Sequence, residues 1–179
     1  MQAGTGENFF ELFGLPASFD LDRRALEARY RELQRRFHPD RYAGAPDAER
    51  RLAVQMAARI NEGLRVLRDP LARGRHLLEL AGVSLGDETD TRMDPAFLME
   101  QMELREAVAE ARAAADPAAA AAGLADRVRG RLEAVTAALG QALAAGGPED
   151  LEAARDRLRQ MQFLYKLRDE IDALEDNPV

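Results

Sequence analysis

The chain has 179 residues, 46% of them hydrophobic and 32% charged, with a net charge of −7 and no cysteine. That balance describes a globular chain and excludes disulfides and thiolate metal sites; a net acidic protein also lacks the Lys and Arg surplus with which general nucleic-acid binders neutralise phosphate. No apolar run approaches the roughly 20 residues of a membrane span, and the opening MQAGTGE has neither the basic segment nor the apolar stretch of a secretory signal, so the expected compartment is the cytoplasm.

In chain order almost everything reads as helix. Alanine, leucine, arginine and glutamate dominate, and alternating β-branched runs are missing. Residues 1–7 are expected to be disordered. A short first helix covers about 8–13, with Gly14 as its stop. The second runs from about Asp22 to Phe37, and Leu26, Tyr30, Leu33 and Phe37 form one apolar stripe at spacings of 4, 3 and 4. Arg24, Arg31 and Arg35 fall on the opposite side.

The next segment, RRFHPDRY (35–42), holds one of only two histidines. A residue before proline is biased away from helical dihedrals, so His38 should end the second helix; Pro39 cannot extend it, and Asp40 can accept from nearby amides. The result is a stiff, exposed turn on a background of Arg35, Arg36 and Arg41. Hydrolytic or metal chemistry needs a nucleophile or a second ligand, and His76 is the other histidine, on a different helix. On the tripeptide alone, a helix stop with a polar cap is the simpler reading.

A third helix, about 47–68, carries Met56, Ile60, Leu64 and Leu67 on one face, and a fourth begins at Asp69-Pro70. Residues 81–94 form a polar linker with two glycines. Beyond it, Asp94-Pro95, Asp116-Pro117 and Gly147-Pro148 mark helix starts, the aspartates as caps and the prolines in the first helical position. Three long helices follow, about 95–115, 117–145 and 148–175, and their short connections predict an antiparallel three-helix bundle. The alanine tract 117–122 reads as helix. Charge divides unevenly: residues 1–80 hold 14 Lys and Arg against 12 Asp and Glu, net +2, and the remainder carries −9. Two modules with differently charged partners follow from that asymmetry.

The helix from residue 95 is unusual. At about 100° per residue, Leu98, Met99, Met102, Glu103, Glu106 and Glu110 lie within roughly 140° of one another, whereas Phe97, Leu104, Val108, Ala111 and Ala115 cluster at roughly 220–280°. A bundle buries one of these faces. The second ends in small alanines suited to close packing and is assigned to the core. Leu98, Met99 and Met102 then form an exposed apolar patch rimmed by glutamates, as at binding sites; the alternative has Met99 or Met102 covering the linker or the first module.

The order FFELFGLP, Tyr30 and Leu33, HPD, and INEGLRVLRDP resembles the J-domain, the co-chaperone module that stimulates DnaK-type chaperone ATPases. That resemblance implies chaperone contacts at His38, Pro39 and Asp40, at the pair Tyr30 and Arg31, and along Arg24, Arg35, Arg36 and Arg41. Tyr30 also lies on the apolar stripe, so a packing role stays open for it. The bridging segment RDPLARGRHLLELAGV together with AFLMEQMELRE and RQMQFLYKLR is similar to the HscB family of J-type co-chaperones in iron–sulfur cluster biogenesis. Membership implies an all-α fold, an N-terminal four-helix J-domain (1–80) linked through 81–94 to a C-terminal antiparallel three-helix bundle (95–179).

It further implies that the bundle binds an IscU-type iron–sulfur scaffold and brings it to a specialised DnaK-type chaperone, HscA. The implied scaffold contacts are Leu98, Met99, Met102, Glu103, Glu106, Glu110 and Phe163, with Met102 where leucine is common. The paired CxxC motifs of some, chiefly eukaryotic, members are missing, so no metal and no cofactor is expected. The implied role is an adaptor rather than an enzyme, with no nucleic-acid or membrane partner; the alternative is a J-domain co-chaperone that delivers a different client.

Overall fold

The computed structural model describes residues 8–85 and 94–176. The expected disordered N-terminus, 1–7, and the greater part of the expected linker, 86–93, lie outside the described residues. The chain divides into two compact units, Met1–Val83 and Ser84–Val179.

Unit 1 opens with α1 (Phe9–Phe13), followed by α2 (Arg23–Phe37), a 3-10 turn over Pro39–Tyr42, α3 (Asp47–Arg68) and α4 (Pro70–Leu80). Local chemistry explains the boundaries of the first two helices. Asn8 caps α1 by accepting from the amides of Phe10 and Glu11, and Gly14 ends it in the left-handed region at φ 63°. Asp22 caps α2 through the amides of Arg24 and Ala25. His38 leaves the helical region at φ −62°, ψ 127°, as its position before Pro39 demands.

The core of this unit is Phe10, Phe13, Leu26, Ile60 and Leu67, with Tyr30, Leu33, Phe37 and Leu64 half-buried around it. α1 reaches α3 at Gly63, where a β-carbon would stand 2.7 Å from a ring carbon of Phe13 and 2.9 Å from one of Phe9. Phe13 is 2% exposed and has no room to retreat. Gly63→Ala should therefore destabilise the protein: overpacking costs about 1–3 kcal/mol, against about 1 kcal/mol gained in helix propensity. With two ring carbons closer than 3.0 Å, the cost should lie in the upper part of that range. A fall in the denaturant midpoint equivalent to about 1–2 kcal/mol is therefore expected, and an unchanged midpoint would contradict this account of the contact.

The second histidine belongs to this core. His76 is buried, and its Nε2 accepts from the backbone N–H of Phe9 at 3.2 Å. That N–H opens α1 and has no partner within its own helix. The imidazole also packs on the rings of Phe9 and Phe10, with centroids 5.1 and 5.8 Å away. Nothing in the sequence pattern marked His76 for this role.

Unit 2 is a three-helix bundle of α5 (Pro95–Ala113), α6 (Pro117–Ala145) and α7 (Pro148–Asp176). Aspartate-proline starts recur: the carboxylates of Asp69, Asp94 and Asp116 accept from the amides of Ala72, Ala96 and Ala119. At α7 the device differs, and Asp150 reaches back to the amide of Gly147 at 3.2 Å. The buried core of the bundle draws on Phe97, Leu104, Val108 and Ala111 of α5, Leu124, Val128, Val135 and Leu139 of α6, and Leu158, Met161, Leu164 and Leu167 of α7.

Ala115, expected on the buried side, is exposed instead. α5 ends at Ala113, and Ala114 turns extended at ψ 157° so that the chain can reverse into the Asp116 cap. α5 and α6 are further joined by Arg131, whose guanidinium forks onto both carboxylate oxygens of Glu100, at 2.9 Å for Nη2 and Oε2. The hydrogen bonds that Arg131 donates to Glu100, helped by the carboxylate's charge, outweigh the opposing effect of partial burial and raise the guanidinium's pKa above its ordinary value. Among the described residues no helix is long and apolar enough to cross a membrane.

Candidate interaction surfaces

The His-Pro-Asp turn is built on the end of α2. The last carbonyls of a helix lack partners within it, and here the turn supplies two. Arg41 Nη1 donates to the carbonyl of Arg35 at 2.9 Å, and the Tyr42 hydroxyl donates to that of Arg36 at 3.3 Å. A cation at this position also meets the negative end of the helix dipole. Arg41, expected to join the basic surface, is thus also the clamp that folds the turn back onto α2.

Within the turn, His38 Nδ1 accepts from the Asp40 amide at 3.3 Å and lies 3.6 Å from Asp40 Oδ2. In the neutral ring the first contact puts the proton on Nε2. The side chains stay open to solvent, 58% exposed for His38 and 91% for Asp40. Pro39 is exposed as well, as are Arg24, Arg31, Arg35 and Arg36 along α2. The Arg36 guanidinium stands 5.3 Å from the centroid of the Phe37 ring. Tyr30 takes an intermediate place: its ring packs on the core, while its hydroxyl donates to Asn61 Oδ1 of α3 at 3.0 Å and accepts from Gln34.

On α5 the two apolar faces separate as the wheel requires. Phe97 and Leu104 are 5% exposed, whereas Leu98, Met99 and Met102 are 41%, 64% and 72% exposed. Glu103, Glu106 and Glu110 are exposed beside them. Phe163, on α7, is half-buried and meets Phe97 edge-on at 5.9 Å. Its ring lies 5.6 Å from the guanidinium of Arg105. Arg105 is three residues from Met102 and seven from Leu98, on the same side of α5. Sequence reasoning passed over Arg105 because a lone arginine on an exposed face carries no periodic signal.

An N-terminal helical unit that presents an exposed His-Pro-Asp turn, joined to a C-terminal helical bundle, defines the class of J-type co-chaperones. Residues 93–172 match the family described as the HSCB C-terminal oligomerisation domain. The co-chaperone protein HscB homolog of Azoarcus sp. (strain BH72) is 49% identical over 93% of this chain and 92% of its own length. The solved structure of chaperone HscB from Vibrio cholerae is 45% identical and covers 94% of this chain and 98% of its own, with a TM-score of 0.85. The crystal structure of human co-chaperone protein HscB reaches a TM-score of 0.84 at 29% identity, covering 97% of this chain and 85% of its own. The chain belongs to the HscB family of co-chaperones.

Proposed function

We propose that the chain is an adaptor for iron–sulfur cluster biogenesis, which holds an IscU-type scaffold on the bundle and stimulates the ATPase of an HscA-type chaperone through the J-domain. The chain supplies no catalytic group to that hydrolysis. His38, Pro39 and Asp40 are the chaperone-facing tip, and Tyr30, Arg24, Arg31, Arg35, Arg36 and Arg41 form the surface that steers toward an acidic partner, an effect felt mainly in the association rate. The scaffold docks on Leu98, Met99 and Met102, bordered by Glu103, Glu106, Glu110 and Phe163.

The observation that carries this reading is the exposure of three large apolar residues on α5 of a chain whose other unit presents the His-Pro-Asp turn. An apolar patch with an acidic rim suits a protein partner, and methionine adapts to its contour. Coupling is the test. ATP hydrolysis by the chaperone should be measured with the chain alone, with the scaffold alone and with both. Stimulation by both together should exceed the sum of the separate effects. A merely additive result would set the scaffold reading aside in favour of a J-domain co-chaperone with another client.

A further inference from the structure

The described residues include four methionines, and they differ sharply in access. Met161 is fully buried in the bundle, within 3.9 Å of the Thr136 hydroxyl. Met56 is half-buried on α3. Met99 and Met102 are 64% and 72% exposed, one turn apart on one side of α5. The chain has no cysteine, so thioethers are its only sulfur nucleophiles. Among the described residues the two exposed thioethers both belong to the apolar patch of α5, which otherwise consists of Leu98.

We propose that Met99 and Met102 form a reversible sulfoxidation site that turns off the docking face of α5 in the presence of hydroperoxides. This rests on the docking reading above. Hydrogen peroxide supplies the oxygen. The sulfur lone pair forms the S–O bond as the O–O bond breaks, and the transferred oxygen's proton passes to the departing hydroxide to give water. Sulfur is oxidised by two electrons and the peroxide is reduced by two. A thioether is apolar and flexible, whereas a sulfoxide carries a strong dipole and demands hydrogen-bond partners on burial. Two such groups in a patch already rimmed by Glu103, Glu106 and Glu110 leave only Leu98 as an apolar anchor. The change is local, because Met161, which holds the bundle together, is sheltered. Methionine sulfoxide reductases, with a dithiol as reductant, reverse it.

The test treats the full chain with hydrogen peroxide, removes the peroxide with catalase, and only then adds an IscU-type scaffold. Peptide mapping by mass spectrometry should find Met99 and Met102 oxidised well before Met161. Thermal unfolding should show the bundle still folded. Scaffold affinity should fall roughly tenfold or more on treatment and return after incubation with the reductases. The Met99→Leu/Met102→Leu double variant is compared with its own untreated sample, and its affinity should not change on treatment. Equal reactivity of Met99, Met102 and Met161, or unchanged affinity of the oxidised wild type, would overturn the proposal. An equal loss in the treated double variant would overturn it too. Failure of the untreated wild type to bind the scaffold at all would instead overturn the docking reading, and this switch with it.

Discussion

If the His-Pro-Asp turn stimulates a chaperone's ATP hydrolysis as proposed, replacing His38 by glutamine should reduce that stimulation at least tenfold and leave the protein folded. The side chain is more than half exposed and belongs to neither core, so the stability change should stay within about 0.5 kcal/mol. What changes is the tip itself. Glutamine lacks the planar ring whose Nδ1 meets the Asp40 amide, and its longer, freely rotating amide loosens a turn that Pro39 otherwise stiffens. Single-turnover ATPase rates at saturating co-chaperone, with thermal unfolding as the control, make the measurement. Equal stimulation by wild type and His38→Gln would remove the turn from the mechanism. Arg41 would be a poor probe of the same surface, because its loss also releases the Arg35 carbonyl that ties the turn to α2.

The second large effect concerns the bundle. The triple substitution Leu98→Ala, Met99→Ala and Met102→Ala removes most of the exposed apolar surface of α5 without opening a cavity, since none of the three is buried. Helix propensity is maintained by alanine, so the bundle should unfold at close to its original temperature. If the three side chains are covered in the complex, their loss should cost about 2–4 kcal/mol of binding, roughly 30-fold to several hundredfold in scaffold affinity. Calorimetric titration of the scaffold is the check, and an unchanged dissociation constant would place the docking face elsewhere. Phe163→Ala confounds the two effects: its ring contacts both Phe97 and Arg105, so truncation loosens the join between α5 and α7 as well as the surface.

The helices were legible in the sequence because their signals are local. Asp22, Asp69, Asp94 and Asp116 announce starts through chemistry confined to three or four residues, and Gly14 and His38-Pro39 announce stops in the same way. The two faces of α5 were legible for a related reason: helical periodicity separates Phe97, Leu104 and Val108 from Leu98, Met99 and Met102 before any tertiary structure is known. What escaped depends on residues distant along the chain. The bond from Phe9 to His76 spans 67 positions, and the fork from Arg131 to Glu100 spans 31. No spacing rule relates such pairs. The 3-10 turn at Pro39–Tyr42 escaped for a different reason, since its clamp runs from Arg41 and Tyr42 to backbone carbonyls, which every residue possesses. Arg41 thus read as charge alone, and its anchoring role became visible only with the fold. The exposure of Ala115, beyond the end of α5, marks the usual limit, where the needs of the next cap override the periodicity of the preceding helix.

The contact between His76 and Phe9 has a consequence for ancestry. Through it the last helix of unit 1 holds the opening of the first, so both ends of that core are secured by residues of the unit itself. A segment sealed at both ends can be transplanted: gene fusion beyond Val83 alters what the chain carries without unpicking Phe10, Phe13 or Leu26 from their neighbours. Such a closed unit is open to recombination with other C-terminal modules, while its own kernel of Phe10, Phe13 and Leu26 admits change only by substitution.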